Sequence, residues 1–344
     1  MPSFSHPYNW QPLRHSVFKD SAFSDTLQES GVTVQPFLSM EQVKALRGIY
    51  EQRHQLEDAD GGMFYSVYSQ DLAYRQEVDR EIRAVLQPTL DAWFVDYKNV
   101  VNSFVVKLPG KASEFDIHQD TTALDEFKHS PLSVWIPLWD VEPENGAMCV
   151  VPGTQGLFSP YRGISFPFPF ADAKEEVRAY MEPVPVRAGE TVLFDPRILH
   201  NSLPNTSKAP RVALICGIFP SEATFNICFK ETPGADIEIY EQADDFLIKY
   251  PNFLHHCHDR PVEGSVVRRV KDLYPHLDGD AVEALFAENG IQRRDLLPPA
   301  SEWACNMIAE PDQVEREPIV PFEEPVVEAP RKSGIWGRLF GKGN

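Results

Sequence analysis

Two histidines, an aspartate and an arginine lie in or beside segments that otherwise have the composition of buried β-strands. Segments 190–194 and 211–218 are rich in β-branched and apolar residues and carry few charges, which is typical of strands in a core. A charged or polar side chain beside such strands is costly unless it has a partner or a metal ion. We therefore interpret four residues as one functional set: His118, Asp120, His200 and Arg211.

The spacing of these residues favours a metal site. Residues two apart in a strand point to the same face, so His118 and Asp120 can bind one ion while Gln119 faces away. His200 adds a second imidazole, and two imidazoles with one carboxylate form the facial arrangement of non-heme Fe(II) oxygenases. Arg211 follows a turn-rich stretch, which places it on a returning strand close to the metal. An isolated His-x-Asp pair also arises by chance, so the interpretation depends on the apolar context.

Further motifs accompany the four residues in a fixed order along segment 103–221. They are His118-Gln119-Asp120, the strand-like 135–140, the hairpin 144–148, the loop 151–154, the stretch 200–205, and Arg211. In this order and spacing the segment, roughly a third of the chain, resembles the catalytic core of the phytanoyl-CoA dioxygenase-like iron(II)/2-oxoglutarate oxygenases. One departure is visible: family members often have Ser-His where this chain has Thr154 and Gln155. This departure alters a loop but no metal ligand.

The resemblance implies a mainly β protein with flanking helices (α+β), built on a double-stranded β-helix, that is, a jelly-roll or cupin-like core. It implies that His118, Asp120 and His200 hold Fe(II), and that 2-oxoglutarate chelates the iron with its far carboxylate paired to Arg211. A planar guanidinium suits that carboxylate because it makes two parallel charge-assisted hydrogen bonds. The implied enzyme is a 2-oxoglutarate-dependent dioxygenase that converts 2-oxoglutarate and O2 to succinate and CO2.

Four further residues are candidates for the cosubstrate pocket. Thr121 and Ser202 follow the two metal-binding segments and could donate hydroxyl groups to 2-oxoglutarate, as in family members, or be ordinary turn or strand hydroxyls. Trp135 could form a wall of the pocket or pack in the core. Lys107 could contact the cosubstrate, although a lysine at a strand end is usually solvated.

The carboxylate of Asp120 bears on the type of reaction. Halogenating relatives replace it by a small residue so that a halide binds iron, and here it is present. We therefore expect hydroxylation of a small or medium-sized organic substrate, although desaturation, epoxidation or ring chemistry would use the same ligands. The alternative from another class is a noncatalytic jelly-roll protein that binds a metal or ligand and recruits a partner through its tail.

Four regions are expected along the chain. Residues 1–99 form a helical flank, 100–220 the jelly-roll catalytic core, 221–309 a mostly helical layer, and 310–344 a disordered linker with a basic tail. The predicted helices cover 40–50, with Ser39 and Gln42 as a capping box, 77–94, interrupted near Pro88, and then 236–250, 262–273 and 278–286.

Two segments outside the core motifs allow alternative interpretations. Segment 156–184 is a long insertion rich in Pro and aromatic residues, which is often a functional lid. Its aromatics would form an apolar mouth over the iron for a hydrophobic substrate, or merely pin a long loop to the surface. The His-His-Cys-His run 255–258 is interpreted as packing, because no second pair of zinc ligands is obvious.

Composition restricts partners and location. The net charge of −19 argues against nonspecific binding to nucleic acid or to anionic membranes. The chain contains no apolar stretch of transmembrane length and no secretory pattern, and its five cysteines lack repeated spacing, so we expect a reduced, cytoplasmic protein. The acidic, Pro-rich linker precedes a basic amphipathic tail at 331–342, which would dock to a protein partner or a membrane surface, or be a disordered end without function.

Overall fold

The structure is a computed structural model that describes residues 6–54, 62–110, 113–250, 259–261 and 264–297. Six α-helices lie in these ranges: α1 (Ser21–Ser30), α2 (Met40–Arg53), α3 (Leu72–Trp93), α4 (Lys174–Arg178), α5 (Phe246–Lys249) and α6 (Gly279–Glu288). The strands of the first half are β1 (Val32–Pro36), β2 (Met63–Tyr65), β3 (Tyr97–Lys107), β4 (Phe115–His118), β5 (Leu132–Pro137) and β6 (Met148–Val151). Those of the second half are β7 (Glu182–Val184), β8 (Glu190–Phe194), β9 (Leu199–Ser202), β10 (Arg211–Pro220), β11 (Phe225–Phe229), β12 (Ile237–Gln242) and β13 (Ser265–Val270).

Two antiparallel sheets form the predicted jelly roll. The major sheet has the strand order β1-β8-β5-β10-β3-β2, and the minor sheet has the order β4-β9-β6-β7. Their facing sides meet in one apolar cluster, to which the major sheet contributes Trp135, Phe194 and Ala213 and the minor sheet contributes Met148 and Val150. Because side chains alternate along a strand, the odd-numbered residues in 103–107 of β3, 133–137 of β5 and 211–215 of β10 point into the jelly roll. The prediction of a double-stranded β-helix is confirmed.

Helices α2 and α3 cover the outer face of the major sheet, as predicted. Their buried stripes pack with the even-numbered residues of the strands beneath, such as Phe104 and Leu214. The capping box of α2 is present: the Gln42 amide N–H donates to Ser39 Oγ at 3.3 Å, and the Ser39 amide N–H donates to Gln42 Oε1 at 3.1 Å. The predicted interruption near Pro88 is wrong, because α3 continues through it to Trp93. Burial of the helix face on the sheet offsets the hydrogen bond that proline cannot donate.

Two regional predictions differ from the structure. The flank 1–99 is not purely helical, since β1 and β2 form the two edges of the major sheet. The prediction of a mostly helical layer over 221–309 is wrong for its described part, where β11, β12 and β13 form an antiparallel sheet and only the short α5 and α6 are helical. Strand β12, the central strand of this sheet, buries five of its six residues, including the polar Glu238 and Gln242.

The insertion 156–184 and α6 cover the outer face of the minor sheet. Phe158 and Phe170 are fully buried there with Phe286 of α6, and the Phe158 and Phe170 ring centroids lie 5.0 Å apart. These two rings therefore pack against the side of the sheet opposite the proposed ligands and do not form a mouth over them.

Some predictions lie outside the described residues. The chain divides into two units, 1–310 and 311–344, and the second unit, with the proposed linker and docking tail, is not among the described residues. The same holds for the run 255–258. Within the described ranges, no helix is long and apolar enough to cross a membrane.

Candidate functional site

The two predicted histidines face each other across a strand pair. β4 and β9 are antiparallel neighbours, and His118 lies directly opposite His200, with ring centroids 4.1 Å apart. Asp120 follows two residues after the end of β4, and its Oδ1 lies 3.6 Å from His118 Nε2 and 3.7 Å from His200 Nε2. One potential ligand atom from each of the three residues lies within 4.8 Å of the others. The structure thus brings together the three side chains that were predicted to bind one metal ion.

Backbone carbonyl groups orient both imidazoles. His118 Nδ1 lies 2.8 Å from the carbonyl oxygen of Asp116, and His200 Nδ1 lies 3.0 Å from that of Ile198. A carbonyl oxygen only accepts, so each Nδ1 carries the proton in these contacts. The lone pair of each Nε2 is then free on the side of Asp120, which is the tautomer that a metal-binding histidine requires.

The electrostatics of the three residues also suit a cation. Burial, helped by the neighbouring His118, lowers the pKa of His200 to about 4, so its imidazole is neutral at physiological pH. For Asp120, burial alone would raise the pKa, but the adjacent imidazoles of His118 and His200 and the charge of Arg162 hold it below its usual range. A neutral imidazole beside an ionised carboxylate is the donor set that divalent iron accepts.

Arg211 lies at the start of β10 on the inner face of the major sheet. Its guanidinium is 5.2 Å from the Trp135 ring centroid, and its side chain is buried. Within the described residues, its Nε and Nη1 have no hydrogen-bond partner. Burial lowers its pKa to about 10, and the phenol of Tyr65 opposes that shift. An unpaired buried cation with two free donors fits a carboxylate ligand, so the residues present fit 2-oxoglutarate.

Lys107 is not solvated in the way that is usual for a lysine at a strand end, because its ammonium group binds protein atoms. The residue is fully buried, and its Nζ donates to Ser202 Oγ at 2.7 Å and to the carbonyl oxygens of Ser202 and Leu203 at 3.1 and 2.5 Å. Gly146, whose φ is +93°, makes room for it, since an added Cβ would come within 2.5 Å of Lys107 Cδ. Lys107 therefore fixes the end of β9, including the hydroxyl of Ser202.

The remaining two candidates lie close to the same residues. Trp135 is buried on the inner face beside Arg211, so it is both a core residue and a neighbour of the proposed carboxylate site. Thr121 follows Asp120 directly and is half-buried. Their roles toward a cosubstrate stay predictions.

Sequence reasoning missed an aromatic wall beside the candidate metal site. The Tyr65 and Tyr68 rings lie 5.1 Å apart, Tyr65 is 6.4 Å from Phe115, and Phe115 is 4.5 Å from His118. Burial raises the pKa of both phenols, and the charge of Asp120 acts in the same direction, so both are neutral at physiological pH. The one available signal was the short aromatic run 63–68, but only the pairing of β2 with β3 brings it to the site.

Comparisons with known proteins point to one family. The model of the family described as phytanoyl-CoA dioxygenase (PhyH) matches residues 31–213. The phytanoyl-CoA dioxygenase domain-containing protein 1 of Danio rerio is 32% identical over 129 residues, which cover 35% of this chain and 44% of that protein. Phytanoyl-CoA dioxygenase 1 of Oryza sativa subsp. japonica is 28% identical over 131 residues, covering 36% and 45%. The alignment thus spans less than half the length of these curated relatives.

Solved structures give a more distant likeness. The non-heme alpha ketoglutarate dependent carbocyclase SnoK from nogalamycin biosynthesis is 23% identical, with 58% of this chain and 83% of that chain covered and a TM-score of 0.41. HygX from Streptomyces hygroscopicus, crystallised with nickel, 2-oxoglutarate and hygromycin B, is 15% identical, with 58% and 86% covered and a TM-score of 0.40.

Proposed function

The chain belongs to the phytanoyl-CoA dioxygenase family, whose model matches more than half of it, and from this premise we propose that it is an iron(II)- and 2-oxoglutarate-dependent oxygenase. One observation supports the proposal above all others. The set of His118, Asp120 and His200 lies in the same jelly roll as Arg211, a buried guanidinium whose Nε and Nη1 have no partner in the part of the chain that the structure describes. The first set suits Fe(II), and the second suits the far carboxylate of 2-oxoglutarate.

We assign each residue a part in holding these groups. His118, Asp120 and His200 would hold Fe(II), which when bound supplies activation of O2 coupled to oxidation of 2-oxoglutarate to succinate and CO2. Arg211 would pair with the far carboxylate, with Trp135 against its guanidinium face. The Ser202 hydroxyl, held by Lys107, would add a donor on the same side, and Thr121 is a further hydroxyl next to Asp120.

Neighbouring side chains keep the ligands in place. Ser133 Oγ lies 3.5 Å from Asp120 Oδ2, and the Phe194 ring centroid lies 5.1 Å from that of His200. Phe115 contacts His118 on the other side. These apolar rings limit access of water to the imidazoles, while 38% of the Asp120 side-chain surface remains accessible to a ligand.

We propose hydroxylation of a small or medium-sized organic molecule as the reaction. Asp120 retains the carboxylate that a halide-binding site would lack. The aromatic wall of Tyr65, Tyr68 and Phe115 offers ring faces and two neutral hydroxyl groups, which favours an uncharged, ring-bearing substrate. The acyl-CoA of the family name is not part of the proposal.

Succinate release tests this function. The protein, loaded anaerobically with Fe(II), would receive 2-oxoglutarate, O2 and a panel of uncharged ring-bearing compounds, with acyl-CoA thioesters as a comparison class. We expect release that depends on both iron and Asp120 and rises with at least one panel compound. Asp116→Asn is the matched control, since Asp116 is an exposed carboxylate near the site that pairs with Lys174. Release that is equal in wild type and Asp120→Ala would contradict the proposal and favour a noncatalytic binding protein.

A further inference from the structure

Arg162, in the insertion 156–184, forms a fully buried ion pair with Glu126. Its Nη1 donates to Glu126 Oε2 at 3.0 Å and its Nη2 to Glu126 Oε1 at 2.5 Å, and both side chains are 1% exposed. The Trp10 indole N–H donates to the Glu126 carbonyl oxygen at 3.1 Å. Removing two charges from water costs several kcal/mol per ion, so such a pair is weak evidence of stabilisation alone. Its position points to another role.

The third nitrogen of the same guanidinium, Nε, binds the backbone of a proposed metal ligand. Arg162 Nε donates to the carbonyl oxygen of Asp120 at 2.7 Å. Glu126 fixes the other two nitrogens, so the direction of the Nε–H bond is set by the ion pair. Arg162 therefore connects Asp120 to a rigid buried anion.

A second set of hydrogen bonds holds the chain just after Asp120. The Thr122 amide N–H donates to the Arg162 carbonyl oxygen at 3.0 Å, and the Arg162 amide N–H donates to Thr122 Oγ1 at 2.8 Å. Thr122 Oγ1 in turn donates to the Pro160 carbonyl oxygen at 2.8 Å. The insertion thus forms hydrogen bonds with both Asp120 and Thr122.

Asp120 needs such support because the strand ladder does not include it. β4 ends at His118, and the last register pair of the β4–β9 ladder is His118 with His200. The Asp120 amide N–H donates to the Pro196 carbonyl oxygen at 2.9 Å, which fixes one side of the peptide. Arg162 fixes the carbonyl on the other side. A carboxylate ligand points accurately at a metal ion only if the amide and carbonyl groups of its residue are both fixed by hydrogen bonds.

We propose that Arg162 is a positioning residue for the metal ligand Asp120, so that the insertion controls the affinity of the metal site. This inference rests on the proposed function, because it requires that His118, Asp120 and His200 bind the ion. The insertion therefore has a role beyond covering the minor sheet. Arg162 acts through Asp120 and contacts neither metal nor substrate in this role.

The test compares the metal affinity of folded variants of the full chain. Mn(II) would be titrated into wild type, Arg162→Lys and Arg178→Lys, with folding checked by circular dichroism. Arg178→Lys is the matched control, because Arg178 is also buried in the insertion and has its own ion pair with Glu114, at 2.7 Å. Loss of a group that orients a metal ligand typically weakens binding by about 10- to 100-fold. We expect roughly a tenfold higher dissociation constant for Arg162→Lys and an unchanged constant for Arg178→Lys.

Co(II) absorption spectra supply a readout that a merely structural role would not change. Arg162→Lys should alter the Co(II) spectrum because Asp120 is displaced, whereas Arg178→Lys should preserve it. If Arg162→Lys does not fold, Glu126→Gln serves instead, since it keeps the guanidinium but removes the anion that directs it. An unchanged Mn(II) constant in the folded variant, or an equal rise in Arg178→Lys, would overturn the inference. Wild-type protein that binds no Mn(II) or Co(II) would instead refute the proposed function.

Discussion

Lys107 and Arg211 lie directly opposite each other on β3 and β10, yet only Lys107 has its charge satisfied by neighbouring protein groups. Its Nζ donates to Ser202 and Leu203, whereas Nε and Nη1 of Arg211 have no partner within the described residues. Two adjacent buried cations therefore have different tasks. Lys107 stabilises the end of β9, and Arg211 is the residue that we propose to bind an anion.

Substitution of these two cations by methionine should lower stability at Lys107 but not at Arg211. Lys107→Met leaves the buried carbonyl oxygens of Ser202 and Leu203 without their donor, which should lower the free energy of unfolding by about 1 to 3 kcal/mol. Arg211→Met removes a buried charge that lacks a partner among the described residues, so the ligand-free protein should unfold at equal or higher urea concentration. Urea unfolding without 2-oxoglutarate measures both. The control is Lys128→Met, because Lys128 is exposed and forms an ion pair with Asp125. A large loss of stability in Arg211→Met would show that Arg211 is already paired.

Arg211→Lys tests the proposed carboxylate anchor. Lysine keeps a cation but cannot make two parallel hydrogen bonds, so iron binding should persist while 2-oxoglutarate binds more weakly. Loss of such a buried pair costs about 2 kcal/mol at the low end, or roughly a 30-fold rise in the apparent KM for 2-oxoglutarate. Steady-state decarboxylation of 2-oxoglutarate measures this KM. The control is Arg187→Lys, a substitution in a turn. An unchanged KM would move the anchor to another residue.

The metal-free protein should lose stability as pH falls through the range from 6.5 to about 4, in part because of His200. The unfolded chain protonates this histidine at its ordinary pKa of 6.5, while the folded chain does so only at about 4. Within that window the unfolded state binds more protons, so the free energy of unfolding decreases with falling pH, by at most about 1.4 kcal/mol per pH unit.

Comparison with His200→Asn isolates this contribution. The variant should show a shallower dependence of stability on pH between 7 and 5 than the wild type. Urea unfolding with a chelator present gives the slopes. Equal slopes for wild type and His200→Asn would mean that His200 is not buried in its neutral form.

Sequence reasoning could propose the three metal ligands because these residues lie in local patterns. His118 and Asp120 are two residues apart, and the apolar strands around His200 and Arg211 are visible in the chain itself. Tyr65 was not predictable in the same way, since it reaches the site only through the pairing of β2 with β3, forty residues later. The position of Lys107 depends likewise on β9, and Arg162 contacts Asp120 across 42 residues. Nonlocal contacts of this kind leave no periodicity in a single sequence.

The same limitation explains the error in the region after residue 220. Segments 236–250 and 262–273 have charged and apolar residues mixed at spacings that a helix accepts, but pairing of β12 with both β11 and β13 favours strands. Tertiary pairing then overrides local preference. The predicted helix over 278–286 is confirmed by α6, whose cap is local: Asp278 Oδ1 accepts from the Ala281 amide N–H at 2.9 Å.

Truncation after Glu310 tests the tail prediction. The proposed iron and cosubstrate residues all precede this position, so metal binding and 2-oxoglutarate turnover should remain close to those of the full chain. Association with a protein partner or with anionic liposomes should be lost, and Trp336→Ala in the full chain should reproduce that loss. Liposome sedimentation and pull-down measure it, with Ser333→Ala as control. If the Trp336→Ala variant associated as strongly as the unsubstituted full chain, the docking hypothesis would be wrong.

Metal-dependent binding of 2-oxoglutarate tests the central claim most directly. Isothermal titration of 2-oxoglutarate would be carried out anaerobically with Mn(II)-loaded protein, with chelated protein, and with Asp120→Ala in the presence of Mn(II). We predict tight binding only to the loaded wild type, because the cosubstrate needs both the metal and Arg211. Asp116→Asn should bind as wild type does. Equal affinity for 2-oxoglutarate with and without metal, or wild-type affinity in Asp120→Ala, would contradict the assignment of His118, Asp120 and His200 as the iron site.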